Sequence, residues 1–413
     1  MKTLKQNLKL TNPQYRILLD WSHYSNNLYN YSLYICKKYF EETGKYIGFK
    51  QLYHEVKHNE NYKLLPTQCA VQIIKLVDQN YRSFFALLKR KNNGEYKDKV
   101  QPPKFKRKGN LFLLTFHSLH GFSYKNNQIK LYSNRKYDKE FNPTKIKVTF
   151  PFHYNEVQFI KQIIVKPVNN GQYFKAFIQY QKKEQQKHAL NPYRYLSIDL
   201  GLDNLASCFS YPSGPSLILN GKPLKSYNRW YNKRKAFLQN QLKKCQNRYW
   251  SKQLQTLNDN RENFIDNYFN QTVNYIIKYC VNWNIGSVVI GYNKTWKKNI
   301  NISKVNNQKF VSIPHLKFKQ KLENKCIENG VFLEQVGESY TSKSNFLNGD
   351  KMEHGFEFTG TRKHRGSYVT NEGLKINADI NGAANILRKV IPDAHHSQGI
   401  VGSMLNPIKV KLL

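Results

Sequence analysis

Cysteine is scarce and scattered. Six residues (Cys36, Cys69, Cys208, Cys245, Cys280 and Cys326) form no C-x-x-C pair. That spacing argues against a zinc ribbon or a disulfide framework and favours a reducing cytosol. Long apolar runs are also missing. No stretch reaches ~18 uninterrupted apolar residues, so no membrane span is expected. The opening "MKTLKQNLKLTNPQY" lacks the apolar core of a secretory signal. The third scarcity is acid: 27 Asp and Glu stand against 66 Lys and Arg, a net charge of +39.

Such a field attracts polyanions regardless of their sequence. Aromatics reach 14%, with 29 Tyr and 24 Phe. Rings interleaved with basic residues suit nucleic acid, where phosphates meet cations and bases stack. An AT-rich genome would explain the Tyr, but not the shortage of acid. The 413 residues allow two or three domains.

Residues 1–10 read as one strand. "TNPQYRILLDW" then opens a helix, capped by Thr11 or Asn12, with Pro13 in the first turn and Gly44 marking the end. A second helix is expected from about Thr67 to Lys91, with Ala70, Ile73, Ile74, Val77, Tyr81, Phe84, Phe85 and Leu88 on its buried face. The basic connector at 89–110 offers Lys104, Lys106, Arg107 and Lys108 to phosphate. From 111 to 180 the period becomes two, and Asn169-Asn170-Gly171 marks a hairpin. A small β-barrel is expected there. If the N-terminal strand joins it, the helices become an insertion. Residues 182–194 read as a polar linker.

In "YRYLSIDLGLDNLASCFS", Leu196, Ile198 and Leu200 face one way, and Tyr195, Ser197 and Asp199 the other. Asp199 is thus a carboxylate on an otherwise apolar strand. The chain continues through "YPSGP" into "SLIL" and, after "NGKP", a short third run, which together read as an antiparallel meander. Residues 226–284 are helical and basic, offering Arg229, Lys233, Arg234, Lys243 and Lys244. Strand "SVVIGY", a helix from about Pro314 to Asn329 and strand "VFLEQV" follow. In "KINADINGAANILRKV", Ile380, Ala383, Ala384 and Leu387 form a helical stripe, and Asp379 begins the helix. An Asp at that position is ordinarily a cap or a dipole partner.

Three antiparallel strands, then helix, strand, helix, strand, helix, is the order of an RNase H-like fold. Its chemistry needs two or three carboxylates around two divalent ions about 4 Å apart. Mg²⁺, a hard ion, takes oxygen ligands. Asp199 and Asp379 are two such acids.

The sequence resembles the TnpB (OrfB) proteins of small insertion sequences, relatives of the compact type V CRISPR effectors. "SIDLGLDNLA" is similar to their first RuvC motif, "INADINGAANILRK" to the third, and "LLPTQCAVQIIKLVDQNYRSFFALLKRK" to their N-terminal helical segment. The resemblance spans essentially the whole chain. It implies an α+β multidomain protein: a wedge strand at 1–10, a helical recognition segment at 11–108 and a wedge β-barrel at 109–185. A RuvC nuclease with basic bridging helices follows at 190–339. A target-nucleic-acid-binding insertion would occupy 340–370, the final RuvC helix 371–395 and a tail 396–413. It also implies a guide RNA, a double-stranded DNA target, two Mg²⁺ ions and a prokaryotic, cytoplasmic, nucleoid-associated setting. The alternatives are a nuclease-dead, RNA-guided repressor and a transposase accessory protein.

The sequence departs from the family in two places. The usual insertion binds zinc through two C-x-x-C pairs, but here Ser344 stands at the first cysteine's place and no cysteine follows Cys326. His354 and His364 cannot complete a tetrahedral site, so no zinc is expected. The usual second motif ends its strand in Glu, but here the strand ends in Gly291-Tyr292-Asn293. Strand "VFLEQV" should lie parallel beside it, which brings Glu338 to the same sheet edge. A branch of the family resembles this chain in placing its acid before "SYTSK". Glu334, inside the strand, is the fallback.

Overall fold

In a computed structural model, the protein is described over residues 1–118, 120–153, 157–183, 187–246, 250–292, 313–364, 366–397 and 399–412. Asn293, the end of the second-motif stretch, lies outside the described residues. The chain divides into two compact units, Met1–Glu184 and Gln185–Leu413.

The first unit begins with β1 (Lys2–Asn7) and continues through helices α1 (Asn12–Thr43), α2 (Gly48–Val56), α3 (Glu60–Leu64) and α4 (Thr67–Asn92). The Gln14 side chain accepts a hydrogen bond from the Thr11 backbone N–H at 3.1 Å. At the other end of α1, Gly44 takes φ 67° and its N–H donates to the Phe40 carbonyl. This is the left-handed stop that glycine provides. The strands are β2 (Leu114–His117), β3 (Phe122–Lys125), β4 (Gln128–Leu131), β5 (Thr149–Pro151), β6 (Val157–Val168) and β7 (Tyr173–Lys182), with α5 (Arg135–Phe141) between β4 and β5.

β1 pairs antiparallel with β7, from Lys2↔Tyr180 to Asn7↔Lys175. The first four helices are therefore inserted between two strands of one sheet. Asn169 and Asn170 take positive φ at the β6–β7 turn. Instead of the single barrel expected from the alternation, the described strands form two sheets, β1-β7-β6-β2 and β3-β4-β5. The short α5 interrupts the run between them. In the shared core Trp21 meets Tyr137 edge to face and packs at a tilt against Phe116. The short helices α2 and α3 carry too few residues for a periodic signal, and the sequence does not announce them.

The second unit is built on one sheet of β8 (Asn191–Leu200), β9 (Asn204–Tyr211), β10 (Leu217–Asn220), β11 (Ile285–Gly291), β12 (Phe332–Val336) and β16 (Ile408–Val410). The strand order is β12-β11-β8-β9-β10-β16. β8, β9 and β10 form the antiparallel meander. β11 runs parallel to β8, and β12 parallel to β11. The meander differs from the sequence reading in one respect. Its first turn falls at residues 201–203, and the run after Asn220-Gly221 is not a third strand but the start of α6 (Lys222–Gln246). The expected tail supplies the sixth strand, β16, parallel to β10.

Helices α7 (Lys252–Asn282) and α8 (His315–Asn329) cover one sheet face, packing on Leu196, Ile198, Leu200 and Cys208. Helix α9 (Ala378–Arg388) covers the other, packing on Phe209, Ile218 and Val289. A small sheet of β13 (Thr361–His364), β14 (Ser367–Val369) and β15 (Lys375–Asn377) precedes α9, and α10 (Ile400–Leu405) follows it. No described helix is long and apolar enough to cross a membrane.

Candidate active site

Asp199 stands near the end of β8 on the face that α9 covers. Gly382 of α9 lies directly over it: a Cβ added there would be 3.0 Å from Asp199 Oδ2. The glycine lets the helix backbone approach the carboxylate. Asp379 lies in the first turn of the same helix. The cap is supplied by Asn377, whose Oδ1 accepts from the N–H groups of Asp379 and Ile380 at 3.0 and 3.2 Å. The Asp379 carboxylate is therefore free of the capping role. Its Oδ2 accepts from Asn204 at 2.7 Å, and its Oδ1 from Arg362 of β13 at 2.9 Å.

The parallel pairing Gly291↔Val336 ends β11 and β12 level with each other. Glu338 follows two residues later and folds back over Gly291. A Cβ at Gly291 would lie 2.8 Å from both Cγ and Oε1 of Glu338. The space that a side chain at 291 would use is thus filled by Glu338, from beyond the neighbouring strand, and by Ile386 of α9, whose Cδ1 would lie 2.5 Å away. Glu334 pairs with Val289, one two-residue repeat short of that edge, about 6–7 Å back along the strand.

The loop carrying Glu338 is fastened to α9. The Glu338 carbonyl accepts from Thr341 Oγ1 at 2.9 Å. Asn385 Nδ2 donates to the carbonyls of Thr341 and Ser344 at 3.0 and 2.7 Å. Asn381 donates to Ser344 and accepts from the Phe346 N–H. Arg388, one turn on, donates to the carbonyls of Gly349 and Asp350. One helix therefore carries Asp379 at its start and holds the Glu338 loop along its side. At the place of the family's first cysteine, Ser344 is buried. Nearby, the Asp350 carboxylate accepts from the N–H groups of Asn345 and Thr359 and from Thr359 Oγ1.

The electrostatics are those of crowded acids. Burial, then the charges of Glu338 and Asp379, push the Asp199 carboxyl well above its ordinary range, and Arg362 opposes them. Burial alone pushes Glu338 up to about 7. Its Oε1 is buried, with no hydrogen-bond partner among the described residues. Among the described residues no three His, Cys, Asp or Glu side chains are arranged as a metal cage. Asp379 is instead engaged by Arg362 and Asn204. The donor set nevertheless fits a hard cation. It offers only oxygens, one of them unpartnered, and the protein's own guanidinium stands in as the positive charge.

An open cleft of about 900 Å³ begins beside Asp199 and is lined by Asn204, Arg362, Asp379, Lys409 and Lys411. Glu338 does not line it. It stands toward β11, on the opposite side of β8 from the cleft. Arg362 was not legible as a site residue, because a three-strand excursion brings it back to the helix that follows. Of the basic candidates, Lys104, Arg107, Lys108, Arg229, Lys233, Arg234, Lys243 and Lys244 are exposed. Lys106 is different: its ammonium lies 3.9 Å from the Phe112 ring centroid and 4.6 Å from that of Tyr29. Burial lowers its pKa, so Lys106 is engaged with rings rather than presented to phosphate.

With the geometry in place, two family models match the chain. OrfB_IS605, described as "Probable transposase", covers residues 177–297, and the Cas12f1-like TNB domain covers 315–386. The "TnpB-like protein ORF457" of Acidianus two-tailed virus is 23% identical, across 92% of this chain and 84% of that protein. Among solved structures, a Cas12f1–sgRNA–target DNA complex superimposes with a TM-score of 0.60 at 15% identity, over 90% of this chain and 82% of that one. The fold is shared with that effector.

Two outcomes follow from the site. Without divalent metal, folded Glu338 keeps its proton up to about pH 7, while the unfolded chain releases it near 4.3. The folded state therefore binds more protons across that window, and stability falls as pH rises through it. Glu338→Gln should melt close to wild type at pH 4.5 in EDTA. At pH 8 it should be more stable by about 1–3 kcal/mol, read as a melting-temperature gap that opens with pH. Separately, Asn385→Leu strands the Thr341 carbonyl and leaves that of Ser344 to Asn381 alone, at a cost of about 1–3 kcal/mol. Amides of residues 338–350 should then exchange hydrogen faster in mass spectrometry.

Proposed function

We propose, from the premise that this chain belongs to the TnpB (OrfB) family related to compact type V effectors, that it is an RNA-guided DNA endonuclease of a mobile element. In this reading the second unit is an RNase H-like (RuvC) nuclease, and the sheets of the first unit form the wedge that holds guide RNA with α1–α4. Guide–target pairing would read the sequence, and protein would read a short flanking motif. The exposed Arg229, Lys233, Arg234, Lys243 and Lys244 on α6 would border the heteroduplex by charge.

The observation that carries the nuclease reading is the exchange at Gly291. The acid missing from β11 is replaced, in the same space, by Glu338. Asp199, Glu338 and Asp379 would hold two Mg²⁺ ions. When bound, these would supply Lewis-acid stabilisation and a water of lowered pKa, giving 5′-phosphate and 3′-hydroxyl ends. The residues' own work is to present oxygen donors at one sheet edge and to keep the third acid paired until it is needed. Arg362, seated on Asp379, is placed to turn toward a phosphate in the cleft.

One observation favours a second reading, a guide-directed binder that does not cut: Arg362 already neutralises Asp379. The two separate cleanly. Purify the full chain with its co-expressed RNA, sequence that RNA, and test a matching plasmid for Mg²⁺-dependent cutting. Wild type should cut. Glu338→Ala should lose about 10³-fold, on the scale of losing a transition-state charge partner, and Glu334→Ala should not. The variant Gly291→Glu/Glu338→Ala/Ile386→Val, which returns the carboxylate to β11 and removes the Ile386 Cδ1 that would meet its Cβ, should recover cutting. Retained cutting in Glu338→Ala, or loss only in Glu334→Ala, contradicts the assignment, and guide-dependent binding without cutting supports the second reading.

A further inference from the structure

The register of the second unit's sheet runs unbroken from Asp199 to its far edge. Asp199 pairs with Ser207, Ser207 with Ile218, and Ile218 with Lys409. These four residues form one row across β8, β9, β10 and β16. The neighbouring row, Leu200, Ala206, Leu219 and Val410, faces the opposite side, where all four belong to the core under α7 and α8. Alternation therefore turns Lys409 to the same face as Asp199. Lys411, two residues on, follows it beyond the strand end. Three strand spacings of about 4.8 Å place Lys409 roughly 14 Å from Asp199.

The row between its two ends is buried, Ser207 1% and Ile218 5% exposed, and Ile218 reaches the cleft wall between them. Both lysines are exposed and line the same cleft as Asp199 and Asp379. Among the described residues neither lysine makes a salt bridge, whereas Arg362, also on the wall, is tied to Asp379. Asp203, the remaining acid on the wall, is held by Lys225.

We infer that β16 is a phosphate rail: Lys409 and Lys411 hold the backbone of the DNA strand whose scissile phosphate lies at Asp199. This inference rests on the nuclease reading above and adds to it a named contact at a named distance. A reach of roughly 14 Å is about four nucleotides at the 3.4 Å axial spacing of a stacked strand, and fewer in an extended one. A charged anchor at that spacing would hold the strand against sliding. The lysines would bind phosphate as point charges, without regard to base sequence.

The test uses the full chain with its co-purified RNA. Targets carry a single neutral methylphosphonate at each of the four phosphates on either side of the cut. Wild type should show one sensitive position on one side, two to four phosphates away, where cutting slows about tenfold, the scale of one lost contact. Lys409→Gln/Lys411→Gln should cut unmodified DNA about as slowly and gain no further loss from the modification. A double variant that cuts unmodified DNA like wild type, or keeps the wild-type sensitivity profile, overturns the rail. If wild type cuts nothing, the nuclease reading has failed, and the rail is judged by binding instead. With Ca²⁺ and a short single-stranded oligonucleotide, the double variant should bind more weakly, with its salt slope reduced by about 1–2. Unchanged affinity and slope overturn it.

Discussion

Carboxylates repel, and bringing three of them to one sheet edge requires a scaffold that holds them against that repulsion. Burial is the largest cost of charging Asp199, and the charges of Glu338 and Asp379 add to it. The fold meets this constraint with rigid parts. Asp199 sits on a central strand with paired neighbours on both sides. Asp379 sits on a helix whose cap is supplied by Asn377, and Glu338 on a loop fastened to that helix by Asn381 and Asn385. Arg362 supplies a positive charge to the group. The crowding is eased by the pairing of Asp379 with Arg362, by burial that raises the Glu338 pKa and so disfavours its charge, and, in the proposed reaction, by divalent metal.

Two glycines make the geometry possible. At Gly382 the absent Cβ lets α9 lie against Asp199. At Gly291 it makes room for the side chain of Glu338. Parallel strands ending level with each other open on one edge, and a short loop beyond β12 carries Glu338 to the end of β11. A glycine is required at 291, because a side chain there would collide with Glu338 and Ile386. The 340–350 segment has an analogous economy, with the Asp350 carboxylate gathering three donors around itself.

Much of this was legible in the sequence, for identifiable reasons. Strand alternation put Asp199 on the face opposite Leu196, Ile198 and Leu200, and the structure has it there. The Ile380, Ala383, Ala384, Leu387 stripe marked the buried side of the last helix. The parallel neighbourhood of the two late strands followed from element order and put Glu338 at the edge. What stayed hidden depends on contacts between distant segments. Arg362 reaches Asp379 only after the chain has made β13, β14 and β15. Lys106 reads as a phosphate ligand in a basic run, yet tertiary packing gives it to Tyr29 and Phe112. β16 is three residues long and its partner strand lies far earlier in the chain, so a tail was expected where an edge strand forms. The barrel expected in the first unit is two sheets, because period two reports strands without reporting how they close.

The central claim is that Asp199, Glu338 and Asp379 share metal. An experimental structure of the RNA-bound protein in Mn²⁺, with anomalous data collected for the ion, tests it most directly. The account predicts anomalous density bridging these three carboxylates, with the Arg362 guanidinium withdrawn from Asp379. Density coordinated by Glu334, or an ion held by the two aspartates while Glu338 stays unligated, would contradict it.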